Sequence, residues 1–238
     1  EYSTAVGYQA LAVQNSTTGA SMYNTAVGYQ AGLSVTTGVN NVLVGGLAGD
    51  SLTDADFNIA VGVGAVGSDT LGSAAIGIGQ GALGQQNFTT ATTNYNIGIG
   101  YAAGGAITTG VNNVLVGGLA GDSLTDADDN VVVGYAALSA DQLGSRNTAV
   151  GRGTLSNQAF TTATQSYNTA VGYQAGGAIT TGTQNTAIGG LALDAATTGA
   201  ANVALGYQAL SADTKGQNNT AVGHNALATQ NLTTATNS

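Results

Sequence analysis

The chain reads as an all-β protein, a repetitive parallel β-solenoid built from coils of 17 and 21 residues, and three observations predict it. An aliphatic residue followed by glycine recurs thirteen times, at Gly7, Gly28, Gly45, Gly62, Gly79, Gly100, Gly117, Gly134, Gly151, Gly172, Gly189, Gly206 and Gly223. The steps between these glycines run 21, 17, 17, 17 and repeat in that order, so a 72-residue super-repeat tiles all 238 residues. Fixed periods of this kind mark solenoids and arrays. Residues 36–56 recur letter for letter as 108–128, which points to recent duplication of the larger block.

Counting positions from each glycine, −3 is always Thr, Val or Ile and −1 is always aliphatic, with mostly Ala or Gly between them. A period of two with β-branched residues on one face predicts a strand of about four or five residues. The column at −1 is the expected structural core: Val6, Val27, Val44, Val61, Ile78, Ile99, Val116, Val133, Val150, Val171, Ile188, Leu205 and Val222. Aspartate in place of Val27, Val44 or Val171 is then expected to unfold the local coils.

Position −4 holds asparagine in eleven coils: Asn24, Asn41, Asn58, Asn96, Asn113, Asn130, Asn147, Asn168, Asn185, Asn202 and Asn219, with Ser3 and Ala75 the exceptions. Such a column predicts a ladder of side-chain hydrogen bonds between stacked coils. Alanine at +3, replaced only by Thr154, predicts a site with room for a methyl group. The glycine itself is expected to take a positive φ or to admit a neighbouring backbone. Threonine at +8, as in Thr36, Thr53 and Thr70, opens the second turn. Position +1 accepts Tyr8, Val63, Gln80, Arg152 and His224, a tolerance that marks an outward site.

Each 21-residue step adds four residues, so protruding loops are expected around Asn87, Phe88 and Thr89, Phe160 and Thr161, and Leu232. The whole of 1–238 is read as one array, and its start and stop inside motifs suggest a piece of a longer protein. Each coil supplies few apolar side chains, so several chains are expected to share a core, with a homotrimer the simplest closed solution.

Composition narrows the function. Three Lys+Arg against twelve Asp+Glu give a net charge of −9, which disfavours nucleic acid and anionic membranes. Cysteine is absent, so disulfides, thiol catalysis and thiolate-held metals are excluded. No apolar run is long enough to cross a membrane as a helix. The only histidine, His224, stands at an outward, variable position, so no catalytic residue, cofactor or enzymatic activity is assigned.

Weaker signals stand beside plainer readings. Asp50, Asp54, Asp56, Asp122, Asp126 and Asp128 faintly resemble calcium-binding β-roll turns but lack a tandem nine-residue period, so solvated turn residues are the plainer reading. Asn15, Asn87, Asn218 and Asn231 begin glycosylation sequons that also read as ordinary turn asparagines. Tyr23 with Tyr29, Tyr95 with Tyr101 and Tyr167 with Tyr173 are either partner anchors or packing beneath the long loops. The threonine column raises an ice-binding face, although its neighbours vary.

Asn24-Thr25-Ala26-Val27-Gly28, Asn168-Thr169-Ala170-Val171-Gly172 and their relatives resemble the head repeats of trimeric autotransporter adhesins and of related bacteriophage tail-fibre proteins. The resemblance covers essentially the whole chain. It implies a left-handed parallel β-roll of three intertwined chains, located outside the bacterial cell or on a virion tail, that extends a fibre and attaches it to a surface or host receptor. The steps of 17 and 21 are longer than the compact turns of adhesin heads, and no stalk or membrane barrel is present. A self-assembling extracellular filament is the alternative reading, because unpaired strands at the ends of an array template joining.

Overall fold

The computed structural model describes residues 2–16, 19 and 21–234. Two compact units divide the chain, Glu1–Gly118 and Leu119–Ser238. All regular structure among the described residues is β-strand and turn.

In the first unit a parallel sheet runs in the order β1 (Thr4–Val6), β2 (Thr25–Val27), β3 (Val42–Val44), β4 (Ile59–Val61), β6 (Ile76–Ile78), β8 (Ile97–Ile99) and β9 (Val114–Val116). A second, two-stranded sheet pairs β5 (Gly72–Ser73) with β7 (Thr92–Thr93). The second unit repeats the plan: β10 (Val131–Val133), β12 (Thr148–Val150), β14 (Thr169–Val171), β15 (Thr186–Ile188), β16 (Val203–Leu205) and β17 (Thr220–Val222) form the long wall, and β11 (Gly144–Ser145) pairs with β13 (Thr164–Gln165). Each strand of the long walls is three residues long and pairs in the register of the repeat, as in Thr25 with Val42 and Val150 with Val171. The architecture is therefore a β-solenoid in which one repeat makes one coil.

The motif glycine does two jobs. Gly28 and Gly45 sit at φ 142° and 132°, and a Cβ on Gly28 would stand 2.5 Å from the Gly45 carbonyl oxygen. Any side chain there would push the coils apart, which accounts for the unbroken column.

The strand face is the reverse of the sequence expectation. The middle residues, Ala26, Leu43, Ala60 and Leu115 in the first unit and Val132, Ala149, Ala170 and Ala204 in the second, point inward and are buried. The −1 residues point out: Val6, Val27, Ile78, Ile99, Val133, Ile188, Leu205 and Val222 are exposed, while Val44, Val61, Val116, Val150 and Val171 are half-buried. Val27 is 37% exposed where its neighbour Ala26 is 0%. A 17-residue coil has a narrow interior. Its strand places mostly Ala or Gly inward next to the buried asparagine, with Leu43, Leu115 and Val132 the larger exceptions, and turns the β-branched pair to the outside.

Inside, bulk alternates with absence. Leu43 lies against Gly32 and Gly49, where an added Cβ would meet its Cδ1 or Cδ2 at 2.6 and 2.7 Å. Leu83 lies in the same way against Gly98, whose added Cβ would meet its Cγ at 2.9 Å. Large and small residues thus interlock between the mid-strand position and position +4, keeping the interior close-packed with few large side chains.

Candidate functional site

The asparagine column forms a buried ladder with two kinds of rung. Along the axis, the Asn41 and Asn58 backbone N–H groups donate to the Oδ1 of Asn24 and Asn41 at 2.8 and 2.9 Å. Across the coil, Nδ2 of Asn24, Asn41, Asn58 and Asn96 donates to the carbonyls of Gly38, Ala55, Gly72 and Gly110, fourteen residues on. The second unit repeats this, with Asn185 N–H donating to Asn168 Oδ1 at 2.9 Å and Asn168, Asn185 and Asn202 Nδ2 donating to Gly182, Gly199 and Gly216. Asn113, Asn130, Asn147 and Asn219 are buried in the same column. One side chain thereby fixes register along the stack and ties the two walls together, and burial away from water strengthens each bond.

The long coils are held from inside by residues that sequence reasoning passed over. Asp69 Oδ1 accepts the N–H groups of Gly72 and Phe88 at 3.1 and 3.0 Å, and its Oδ2 accepts Gln86 Nε2. Gln86 Oε1 in turn accepts Asn96 Nδ2 at 2.9 Å, joining the anchor to the ladder. Asp141, Phe160, Gln158 and Asn168 reproduce the network, and Asp213 with Gln230 repeats its first half. Burial raises the Asp141 pKa, against the lowering effect of its hydrogen bonds to Gln158, Phe160 and Gly144. The signal was present at position +7, which is Val35, Leu52, Ile107 and Leu124 in ordinary coils but Asp69 then Gln86, and Asp141 then Gln158, at each long step.

This anchoring corrects the expected loops. Phe88 and Phe160 are buried beside those aspartates, and among the named loop residues only Asn87, Thr89 and Thr161 are exposed, with Leu232 half-buried. The last long loop continues into residues 235 and 236, and the Asn15 sequon reaches Thr17; these positions lie outside the described residues. Asn87 and Asn231 are exposed, each accepting the hydroxyl of Thr70 or Thr214 at 3.2 Å.

The ladder lacks an asparagine at Ser3, whose hydroxyl accepts the Asn24 N–H at 3.2 Å, and at Ala75, where the long loop replaces it. At Ala75 the missing acceptor is supplied by Asn94, whose Oδ1 takes the Asn96 N–H at 2.9 Å. Its buried Nδ2 has no partner. In the second unit Asn147 stands in the column and Ser166 stands at the place of Asn94, its hydroxyl donating to Asn147 Oδ1 at 2.8 Å while Asn168 N–H donates to the same oxygen.

The acidic candidates do not converge. Asp54 accepts the Thr37 hydroxyl, Asp56 accepts the Val39 N–H at 2.8 Å, and Asp50 is half-buried with a pKa raised by desolvation. Asp122 behaves like Asp50, and Asp126 and Asp128 line a recess with Arg146. No group of three His, Cys, Asp or Glu residues able to hold a metal occurs among the described residues. The threonine hydroxyls are used within the fold: Thr53 donates to the Thr70 carbonyl and Thr180 to the Thr197 carbonyl, both at 3.0 Å.

Outward columns carry the remaining chemistry. The tyrosines flanking the long loops are exposed rather than packed beneath them. Tyr2 stacks on Tyr23 with ring centroids 5.8 Å apart, and Tyr8 stacks on Tyr29 at 5.6 Å. Arg152 lies over Tyr135 and Tyr173, and His224 stacks on Tyr207 at 5.5 Å. Beside them the −1 residues make an aliphatic column along each long wall, with Thr, Val or Ile next to it at −3; Val42, Ile78 and Ile99 are exposed in the first unit and Val131, Val203 and Leu205 in the second. Compared with known proteins, the chain matches no family model, no curated protein and no solved structure.

Proposed function

We propose that this chain is a non-enzymatic structural and adhesive segment of an extracellular fibre, assembled as a homotrimer through its long wall. The observation that carries the reading is the outward column of aliphatic −1 residues, flanked by the β-branched Thr, Val or Ile of the −3 column. An outward aliphatic column repeated at every coil is uncommon on a protein that works alone and marks an interaction surface. Its period equals that of the coil, so a second copy in register meets the same chemistry at every step, and closed symmetry satisfies each copy equally. The buried asparagine ladder and the interlocked interior supply mechanical continuity, and the exposed tyrosine columns supply amphipathic anchors for attachment.

Light scattering coupled to size exclusion tests the assembly. Three times the chain mass supports the proposal. The chain mass alone over a wide concentration range overturns it, and open-ended growth replaces it with a filament. Because Val27 and Val44 face outward, the double substitution Val27→Asp and Val44→Asp is expected to leave the β-solenoid spectrum unchanged and to lower the mass to one chain. Unfolding of the isolated coils would show that these residues belong to an inner core.

A further inference from the structure

Position −5 places one outward side chain on every coil, always with left-handed backbone, and at the long coils it pairs with the tyrosine that follows the loop. Three copies of that pair occur, 72 residues apart: Tyr2 with Tyr23, Ala74 with Tyr95, and Arg146 with Tyr167. In the first, Tyr2 covers the face of Tyr23. In the third, the Arg146 guanidinium lies 5.5 Å from the Tyr167 ring centroid, pairs with Asp129 at 3.5 Å and donates to Gln165 Oε1 at 2.8 Å. In the middle copy Ala74 covers nothing.

The space left by Ala74 is a recess of 400 Å³ lined by Asp56, Phe57, Ser73, Ala74, Thr93 and Tyr95. The counterpart around Arg146 measures 270 Å³. Phe57 and Tyr95 are 60% and 62% exposed and stand on the coils either side of Ala74. Two coil spacings separate them by roughly 9.6 Å. A planar group midway would lie about 5 Å from each ring, within the range of a cation–π contact. Asp56 uses one carboxylate oxygen for the Val39 N–H, and the chain carries a net charge of −9.

We infer that the Ala74 recess is a binding site for the guanidinium of an arginine side chain on a partner protein, held between Phe57 and Tyr95 with Asp56 as counter-charge. In the second unit Arg146 holds the equivalent place over Tyr167, with Asp129 where the first unit has Phe57 and Gln165 where it has Thr93. The first unit leaves the tyrosine face open for an arginine supplied from outside and offers a second ring, Phe57, with Asp56 as the nearby carboxylate. The site does not depend on how many copies of the chain associate.

Titration of the full chain with N-acetylarginine amide, followed through the aromatic ring resonances of Phe57 and Tyr95, tests this. A saturable shift with one equivalent per chain is expected, with affinity on the order of millimolar for a single contact of this type. The uncharged isostere N-acetylcitrulline amide is expected to leave both rings unshifted. Ala74→Arg should weaken the response at least about tenfold by filling the seat, since a guanidinium there takes the contacts of the ligand. The backbone accepts that change, because Ala74 and Arg146 share φ values of 61° and 64°. Arg146→Ala should add a second equivalent, reported by Tyr167. Absence of a saturable shift, an equal response to the citrulline compound, or an unchanged response in Ala74→Arg would each overturn the assignment.

Discussion

The long coil that begins at Gly79 and the one that begins at Gly151 occupy the same place in successive super-repeats and solve the same problem with different residues. Both must hold four extra residues against a narrow coil. Both do so with a buried aspartate, a glutamine and an inward phenylalanine. Among the positions where they differ, those around the ladder gap and the tyrosine face matter most. The first unit has Ala74 and Ala75 with Asn94, and the second has Arg146 and Asn147 with Ser166. Inside the coil, the first arrangement satisfies the Asn96 N–H but leaves Asn94 Nδ2 unpaired, whereas the second pairs the Ser166 hydroxyl and the Asn168 N–H with one oxygen. Outside, the first leaves a tyrosine face open and the second covers it. The shared anchor is what the fold requires, and the variable pair is where one copy can change without loss of the coil.

The largest effect is expected from breaking what the two coils share. Asp69→Ala or Asp141→Ala strands two backbone N–H groups and a glutamine amide in the interior, which should cost about 3–5 kcal/mol in denaturant unfolding. Equal losses in the two units would confirm that the anchor is common property. Next, Asn41→Ala removes the acceptor of the Asn58 N–H and the donor to Ala55, and is expected to cost about 2–3 kcal/mol. The same experiment at Ser166, replaced by Ala, should cost only about 1 kcal/mol, because Asn147 Oδ1 keeps its bond from Asn168.

The comparison is sharpened by transplanting one solution into the other. Ala75→Asn alone should destabilise by about 1–3 kcal/mol through crowding against Asn94. Combined with Asn94→Ser it should recover that loss and add about 1 kcal/mol as the unpaired amide disappears. A double-mutant cycle that showed simple additivity would sink the idea that the two positions form one unit.

The smallest effect concerns pH. Desolvation raises the pKa of Asp50, Asp122 and Asp194 above 3.8. A folded-state pKa above the unfolded value means that the charged form is penalised in the fold. Stability should therefore rise as pH falls from above the raised values toward 3.8, through these groups. Asp122→Asn with Asp194→Asn should raise the melting temperature at neutral pH and flatten that acid-side gain.

By itself the sequence determined the period, the coil boundaries, the strand positions and the requirement for glycine at the tightest approach. These follow from local rules, because β-branched alternation and a fixed spacing restrict the backbone whatever surrounds it. The asparagine column was legible for the same reason, since identical side chains at one register can meet only along a stack. The direction in which each strand faces was not legible. Alternation names two faces, and which one is inside depends on how much volume the closed coil leaves, so the mid-strand column, mostly alanine, proved to be the core and the −1 column the surface. The role of Asp69, Gln86 and Phe88 was equally hidden, because a carboxylate and an amide in a loop read as solvated until the fold shows that their partners lie within. Only the tertiary structure brings residues 57, 74 and 95 side by side, since the recess exists through the stacking of three coils and through the one side chain that is missing from the middle of them.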